Sequence, residues 1–237
     1  MRTTSGGRGW RWAVGLAAVG LALGVWGLLA RPSAVADEGG GEPIAGKEVT
    51  PLAYSANDSW FSHGGHAAEM KGRIDNLGYD TLKEEPPSKA SAVKAAPSRL
   101  VWYSFSDGGV DSNGSFVCLC FGTTGEDLLY PQDLPADLHY TLVFANACKS
   151  ATGNGYAFSS KFGAQAYVGW KDEISNPVAI AFAKTFAENL KHTNSHKRTV
   201  QGAVNAAIRS FDGYARDQIE RKICILKGFN VVVDLTQ

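Results

Sequence analysis

Neither sign of charge is in excess in this 237-residue chain, which has 23 Lys plus Arg against 23 Asp plus Glu. No Lys/Arg cluster rises above an ordinary solvated face, and nucleic-acid binders carry a basic patch, so a nucleic-acid partner is not expected. There is no internal repeat and no coiled-coil heptad, which excludes solenoids and zippers. Metal ligands are scarce as well. His63 and His66 have the look of two ligands, but zinc takes three or four and nothing else in the chain has matching spacing. No metal or other cofactor is implied.

The first 36 residues differ from the rest. Arg2, Arg8 and Arg11 precede an uncharged stretch from Trp12 to Ala30, followed by Arg31-Pro32 and the small residues Ser33-Ala34-Val35-Ala36. A basic start, an apolar middle and an A-x-A site are the three parts of an export signal. Residues 1–36 are therefore read as a signal peptide. The expected location is periplasmic or extracellular, with no cysteine positioned for lipidation. The rival reading is a membrane anchor through residues 12–30, because that stretch is just long enough to span a bilayer. Only this uncleaved form would make the membrane a partner. Four of the 23 basic residues and no acidic residue lie in 1–36, leaving 19 against 23. Residues 37–48 are polar and glycine-rich, a flexible lead-in; residues 49–237 are enough for one domain with a core of its own.

Within that domain, strand-like and helix-like periods alternate, predicting an α/β fold with a mostly parallel sheet covered by helices. Strands are expected at 49–55, 79–82, 100–105, 140–146, 164–169 and 229–235, with Gly114 to Phe121 in a small hairpin. Ala67, Met70, Ile74 and Leu77 mark an amphipathic helix over 66–77 that Gly78 ends. Ser88 caps a weak helix over 89–96. Further helices are expected at 156–162, 177–190 and from Thr199 onward. Right-handed crossovers would put the first strand between the second and third.

Tyr140 to Asn146 reads as a buried strand, and it runs straight into Ala147-Cys148-Lys149-Ser150-Ala151. Ligands bind at the carboxyl ends of strands in open α/β sheets, so a thiol there is displayed. The segment N-A-C-K-S-A resembles the nucleophile motif of the caspase-like cysteine peptidases, the superfamily of caspases, metacaspases, CHAT-domain proteases, clostripain and gingipains. Leu77-Gly-Tyr-Asp80 and Gly163-Ala-Gln-Ala-Tyr-Val-Gly-Trp170 support the resemblance, which covers about residues 49–236. It implies a three-layer, single-domain caspase-like sandwich, a peptide or protein substrate, Cys148 as nucleophile, and oxyanion donors on the backbone N–H of Cys148 and of Gly109.

The sequence departs from that family at one place. The family histidine follows the preceding core strand in a motif close to S-G-H-G, whereas Leu100 to Phe105 is followed here by Ser106-Asp107-Gly108-Gly109. His63 and His66, trailing the first strand, border the same crevice in the implied sheet order and are the candidates for a relocated base. His139 falls at the wrong end of its strand, and His192 and His196 in a polar loop. A strand-end cysteine ahead of a helix is expected to feel amides that depress its pKa. Asp107, Trp170 and Asp172 are the candidate substrate-binding residues, Asp107 either for a basic side chain or as a turn cap. Cys118 and Cys120 alternate on one strand and share a face, an awkward geometry for a disulfide between them; Cys224 offers either a partner. Two readings follow: an exported cysteine endopeptidase using Cys148 with a relocated histidine, or a catalytically inactive caspase-like domain serving as a peptide-binding or regulatory module.

The export reading makes a direct expectation. N-terminal sequencing of the mature protein begins at Asp37; recovery of the intact N-terminus in the membrane fraction would favour the anchor instead.

Overall fold

The computed structural model describes residues 52–57, 66–84, 88–121, 127–191 and 199–233. In chain order its elements are β1 (Leu52–Asn57), α1 (His66–Asp75), β2 (Asp80–Glu84), α2 (Lys89–Ala95), β3 (Val101–Phe105), β4 (Asp107–Val110), β5 (Phe116–Cys120), β6 (Leu128–Leu129), β7 (Leu142–Asn146), α3 (Gly155–Lys161), β8 (Ala166–Trp170), α4 (Asn176–Leu190), α5 (Val200–Arg209), α6 (Gly213–Lys222) and β9 (Ile223–Lys227).

Six strands form one sheet in the order β2-β1-β3-β7-β8-β9. The first five are parallel, and β9 joins the edge antiparallel to β8. The first strand does lie between the second and third, as right-handed crossovers require. β3, β7 and β8 are buried along their whole lengths, the pattern of strands covered on both faces. Their side chains divide between two cores. Val101, Tyr103, Phe105, Leu142, Phe144, Val168 and Trp170 pack on one face with α1, α4, α5 and α6. Trp102, Val143, Ala145 and Tyr167 pack on the other with α2, α3 and residues of β5 and β6. This is a three-layer α/β sandwich in which β4, β5 and β6 form a separate antiparallel sheet.

Local chemistry explains several boundaries. Gly78, at φ +93°, closes the turn after α1, a backbone region open to glycine at little cost. Ser88 caps α2 in a reciprocal pair with Ser91, and the Thr199 side chain accepts the amide of Gly202 at the start of α5.

The end of the chain differs from expectation. The last strand is Ile223–Lys227, not 229–235. Buried Ile223 and Ile225 alternate with half-buried Cys224 and Leu226, the period of a one-sided edge strand. Gly228, at φ +80°, then turns the chain. Val232 makes only an isolated bridge to Thr199, and residues 234–237 lie outside the described residues. Helix α6, unread in the sequence, buries Ile219 alone and so shows no apolar stripe.

Phe144 lies edge-on to Tyr103, Phe182 and Phe186 at the centre of the larger core. Phe144→Ala is expected to cost about 3–5 kcal/mol, read from the denaturant midpoint. Tyr214→Ala, at a residue 76% exposed, should stay within about 0.5 kcal/mol.

Candidate active-site rim

The chain leaves the sheet at the end of β7 through a tightly stapled turn. Lys149 has φ +60°, a left-handed conformation that costs a residue with a Cβ about 1–2 kcal/mol. Ser150 holds the turn in place: its hydroxyl donates to Ala145 O at 2.6 Å and accepts the amide of Trp170 at 3.1 Å. Its carbonyl accepts the Tyr167 hydroxyl at 3.1 Å. Ala151 N donates to Trp170 O at 2.9 Å and Lys149 N to Asp172 O at 3.3 Å. A Cβ on Gly169 would stand 2.6 Å from Ser150 Oγ, so glycine is what lets the turn lie on β8. The serine of the N-A-C-K-S segment is thus a structural staple.

Cys148, at the apex of this turn, is half-buried and packs against the larger core, with Sγ 3.8 Å from Ile174 O. Burial pushes its thiol above the ordinary value against a lowering by the Ile174 backbone, and the charges of Asp107 and Glu173 add smaller upward pushes that Lys222 partly offsets. The expected depression is not found. Helix α3 opens only at Gly155, beyond the turn, and burial outweighs what lowering the thiol does receive.

The hairpin beside it places Gly108, the position where the resemblance leads one to expect a histidine, against the backbone of Cys148. Gly108 lies so near Cys148 that a Cβ there would stand 1.9 Å from Cys148 O. Gly109, the expected oxyanion donor, is turned the other way, toward the Cys118 sulfur, 2.4 Å from where its Cβ would be. Strand alternation separates the two glycines onto opposite faces. Asp107 is exposed, and its carboxylate accepts the Gly108 amide at 2.8 Å. Desolvation and the nearby Glu173 raise its pKa against that hydrogen bond.

Of the other candidates, Trp170 is fully buried and donates its indole N–H to Asn146 Oδ1 at 2.6 Å; it supports the rim from below and offers no surface to a substrate. Asp172 is exposed, beside Lys149. His66 is 3% exposed at the start of α1, its Nε2 2.5 Å from the Tyr103 hydroxyl and its ring edge-on to Tyr103 and Phe105. The Tyr103 hydroxyl also accepts Asn146 Nδ2 at 3.0 Å, and Asn146 Nδ2 reaches Ala179 O at 3.2 Å. His66 therefore belongs to a buried polar chain running His66, Tyr103, Asn146, Trp170. His63, His192 and His196 lie outside the described residues, and His139 is exposed ahead of β7. Among the described residues no group of three or more His, Cys, Asp or Glu could hold a metal ion. Sequence reasoning did not single out Asn146, Tyr103 or Ser150. Asn146 and Ser150 stood within the cysteine motif, but pairing across strands leaves no local signal.

No protein-family model and no curated protein matches the sequence. Solved structures do match the fold. Separase in the Saccharomyces cerevisiae separase–securin complex superposes with a TM-score of 0.54 at 14% identity, over 76% of this chain and 12% of that one. The Arg-specific cysteine proteinase gingipain R superposes with a TM-score of 0.51 at 13% identity, over 78% of this chain and 47% of that one. The complex of Porphyromonas gingivalis RgpB pro- and mature domains gives 0.52 at 13%, over 77% and 48%. This chain thus spans about half, or far less, of the chains it resembles, and its fold is the caspase-like one.

The raised thiol has a measurable sign. Because thiolate is the reactive form, alkylation of Cys148 by iodoacetamide should rise with pH through a midpoint above the ordinary value of about 8.5. At near-neutral pH it should be slower than that of a free small-molecule thiol. Peptide mapping assigns the rate to Cys148, and a faster rate near neutrality would contradict the electrostatics described.

Proposed function

We propose that this chain is an exported caspase-like domain that holds peptide segments at the Cys148 rim without cleaving them. One observation carries this reading: the position that follows β3, where caspase-like peptidases keep a histidine, is a glycine pressed against the Cys148 carbonyl. A cysteine peptidase needs a thiolate and a base beside it. Here burial and two carboxylates favour the neutral thiol, and His66 is engaged with Tyr103 inside the core. Export rests on the basic, apolar and A-x-A parts of residues 1–36.

The chemistry of the rim favours a basic segment. Asp107, whose charge acts on Cys148, and Asp172, whose carbonyl accepts the Lys149 amide, are both exposed, whereas Glu173 is partly offset by Lys149 Nζ at 3.9 Å. The matched complexes pair their peptidases with polypeptides, securin in one and a pro-domain in the other, and gingipain R is Arg-specific. Opposite charge at an exposed rim contributes through orientation and encounter more than through raw affinity, so binding should be modest and salt-sensitive.

The second reading, an endopeptidase, is favoured by one feature: Cys148 is lifted to the strand-end rim on a left-handed turn at Lys149. A peptide panel separates the two. A labelled Arg/Lys-rich peptide should bind about tenfold tighter than its Asp/Glu counterpart, the Asp107→Asn, Asp172→Asn double variant should remove that preference, and mass spectrometry should find no product. Cleavage that disappears in Cys148→Ala and in His63→Ala, or in a His66→Gln variant shown by circular dichroism to be folded, would install the peptidase. Absence of binding by either peptide would remove the module reading.

A further inference from the structure

The β4–β5 hairpin carries a second thiol site, distinct from Cys148. Cys118 and Cys120 alternate along β5 and project from one face, with sulfurs 3.9 Å apart. In the register of the hairpin, Cys118 pairs with Gly109 and Cys120 with Asp107. A Cβ on Gly109 would lie 2.4 Å from Cys118 Sγ and 3.1 Å from Cys120 Sγ. The missing side chain is the space in which the two sulfurs meet. Cys118 is buried and Cys120 is partly open to solvent, so a small reagent has access from one side. The backbone also has slack nearby, because the β4–β5 register shifts between Gly109 and Val110.

The surroundings favour one thiolate shared by the pair. The Cys120 thiol, the Tyr130 hydroxyl and the Gly109 amide all hydrogen-bond toward Cys118 and hold it below its ordinary value despite burial. Cys120 is driven strongly the other way, first by its hydrogen bond with Cys118, then by burial and by the charge of Cys118 and Asp107. Such a pair loses its first proton readily and its second with difficulty, which is the protonation state that thiol–disulfide exchange uses.

We propose that Cys118 and Cys120 form a dithiol exchange site, oxidised by a small-molecule disulfide such as glutathione disulfide and closing into a Cys118–Cys120 bond. The thiolate of the pair attacks one sulfur of the disulfide RSSR, breaking its S–S bond, forming a protein–SR mixed disulfide and expelling RS⁻. The remaining protein thiol then gives up its proton and attacks the protein sulfur of the mixed disulfide. The Cys118–Cys120 bond forms as the second RS⁻ leaves. One of the two released thiolates takes the proton, so the products are RSH and RS⁻, and two electrons have passed from the protein to the disulfide. A thiol in excess reverses the sequence. Residues alternating on a strand have Cα atoms about 6.6 Å apart, inside the span of about 4.4–6.8 Å that disulfides bridge. Closing the bond needs the sulfurs to approach from 3.9 Å to about 2 Å, into the gap over Gly109. The Cys118-to-Cys120 spacing that looked awkward for a bond in sequence is rescued by a glycine on the neighbouring strand.

The experiment is a redox titration of the folded chain in glutathione buffers, with free thiols trapped by alkylation and located by intact mass and peptide mapping. The expected result is a wild-type product lighter by two hydrogens, in which Cys118 and Cys120 escape alkylation together while Cys148 and Cys224 remain trapped. Cys118→Ser should instead retain one glutathione adduct at Cys120 that cannot resolve, and Cys148→Ser should leave the closure unchanged. Cys118 and Cys120 remaining fully alkylated across the buffer range, or oxidation that joins either to Cys148 or Cys224, would overturn the proposal. The wild-type map alone decides this even if a variant fails to fold.

Discussion

A single buried carboxamide organises the rim of the sheet. Asn146, 1% exposed, ends the central strand β7 and binds three neighbours at once: the Trp170 indole at the end of β8, the Tyr103 hydroxyl of β3 and the Ala179 carbonyl in α4. Through Tyr103 the chain continues to His66 at the start of α1. Each partner is buried, and a buried polar group stripped of its hydrogen bond costs about 1–3 kcal/mol. The strand ends and two helices are therefore held in one relative arrangement, and Cys148 follows two residues behind that anchor. The thiol's position is set from below by this network and from the side by the Ser150 staple.

The hairpin that flanks the thiol is organised by a different rule. Successive residues of β4 face opposite ways, so its two glycines serve two separate sulfur-bearing neighbours. Gly108 admits the Cys148 turn on one side, and Gly109 admits Cys118 and Cys120 on the other. The glycine pair is spent on internal contacts. Both are close approaches of the protein to itself.

What the sequence made legible follows the same division between local and distant. Strands buried on both faces announce themselves as apolar runs, and β3, β7 and β8 fall close to where Leu100 to Phe105, Tyr140 to Asn146 and Ala164 to Gly169 placed them. Caps at Ser88 and Thr199 and the stop at Gly78 are local chemistry and were readable. Helix α6 and strand β9 were not, because α6 is polar nearly all round and β9 is a short edge strand whose partner, β8, is far away in sequence. At the site, Cys148 was visible from its motif and its strand end. Its electrostatics were not, since burial and the charges of Asp107 in β4 and Glu173 beyond β8 are set by the fold, and the turn lengthens the path to α3. The burial of Trp170 and the turning of Gly109 toward Cys118 likewise depend on register, which a linear pattern does not carry.

The contact between Gly108 and the Cys148 carbonyl also bears on protein engineering. Grafting a histidine onto a scaffold that lacks one at a chosen position is usually treated as a choice of side chain and rotamer. In this scaffold even the first carbon of that side chain would overlap a main-chain oxygen, so the task becomes one of loop design. The hairpin would have to be lifted off the turn, or the turn rebuilt without its left-handed lysine, before any rotamer could be searched at all.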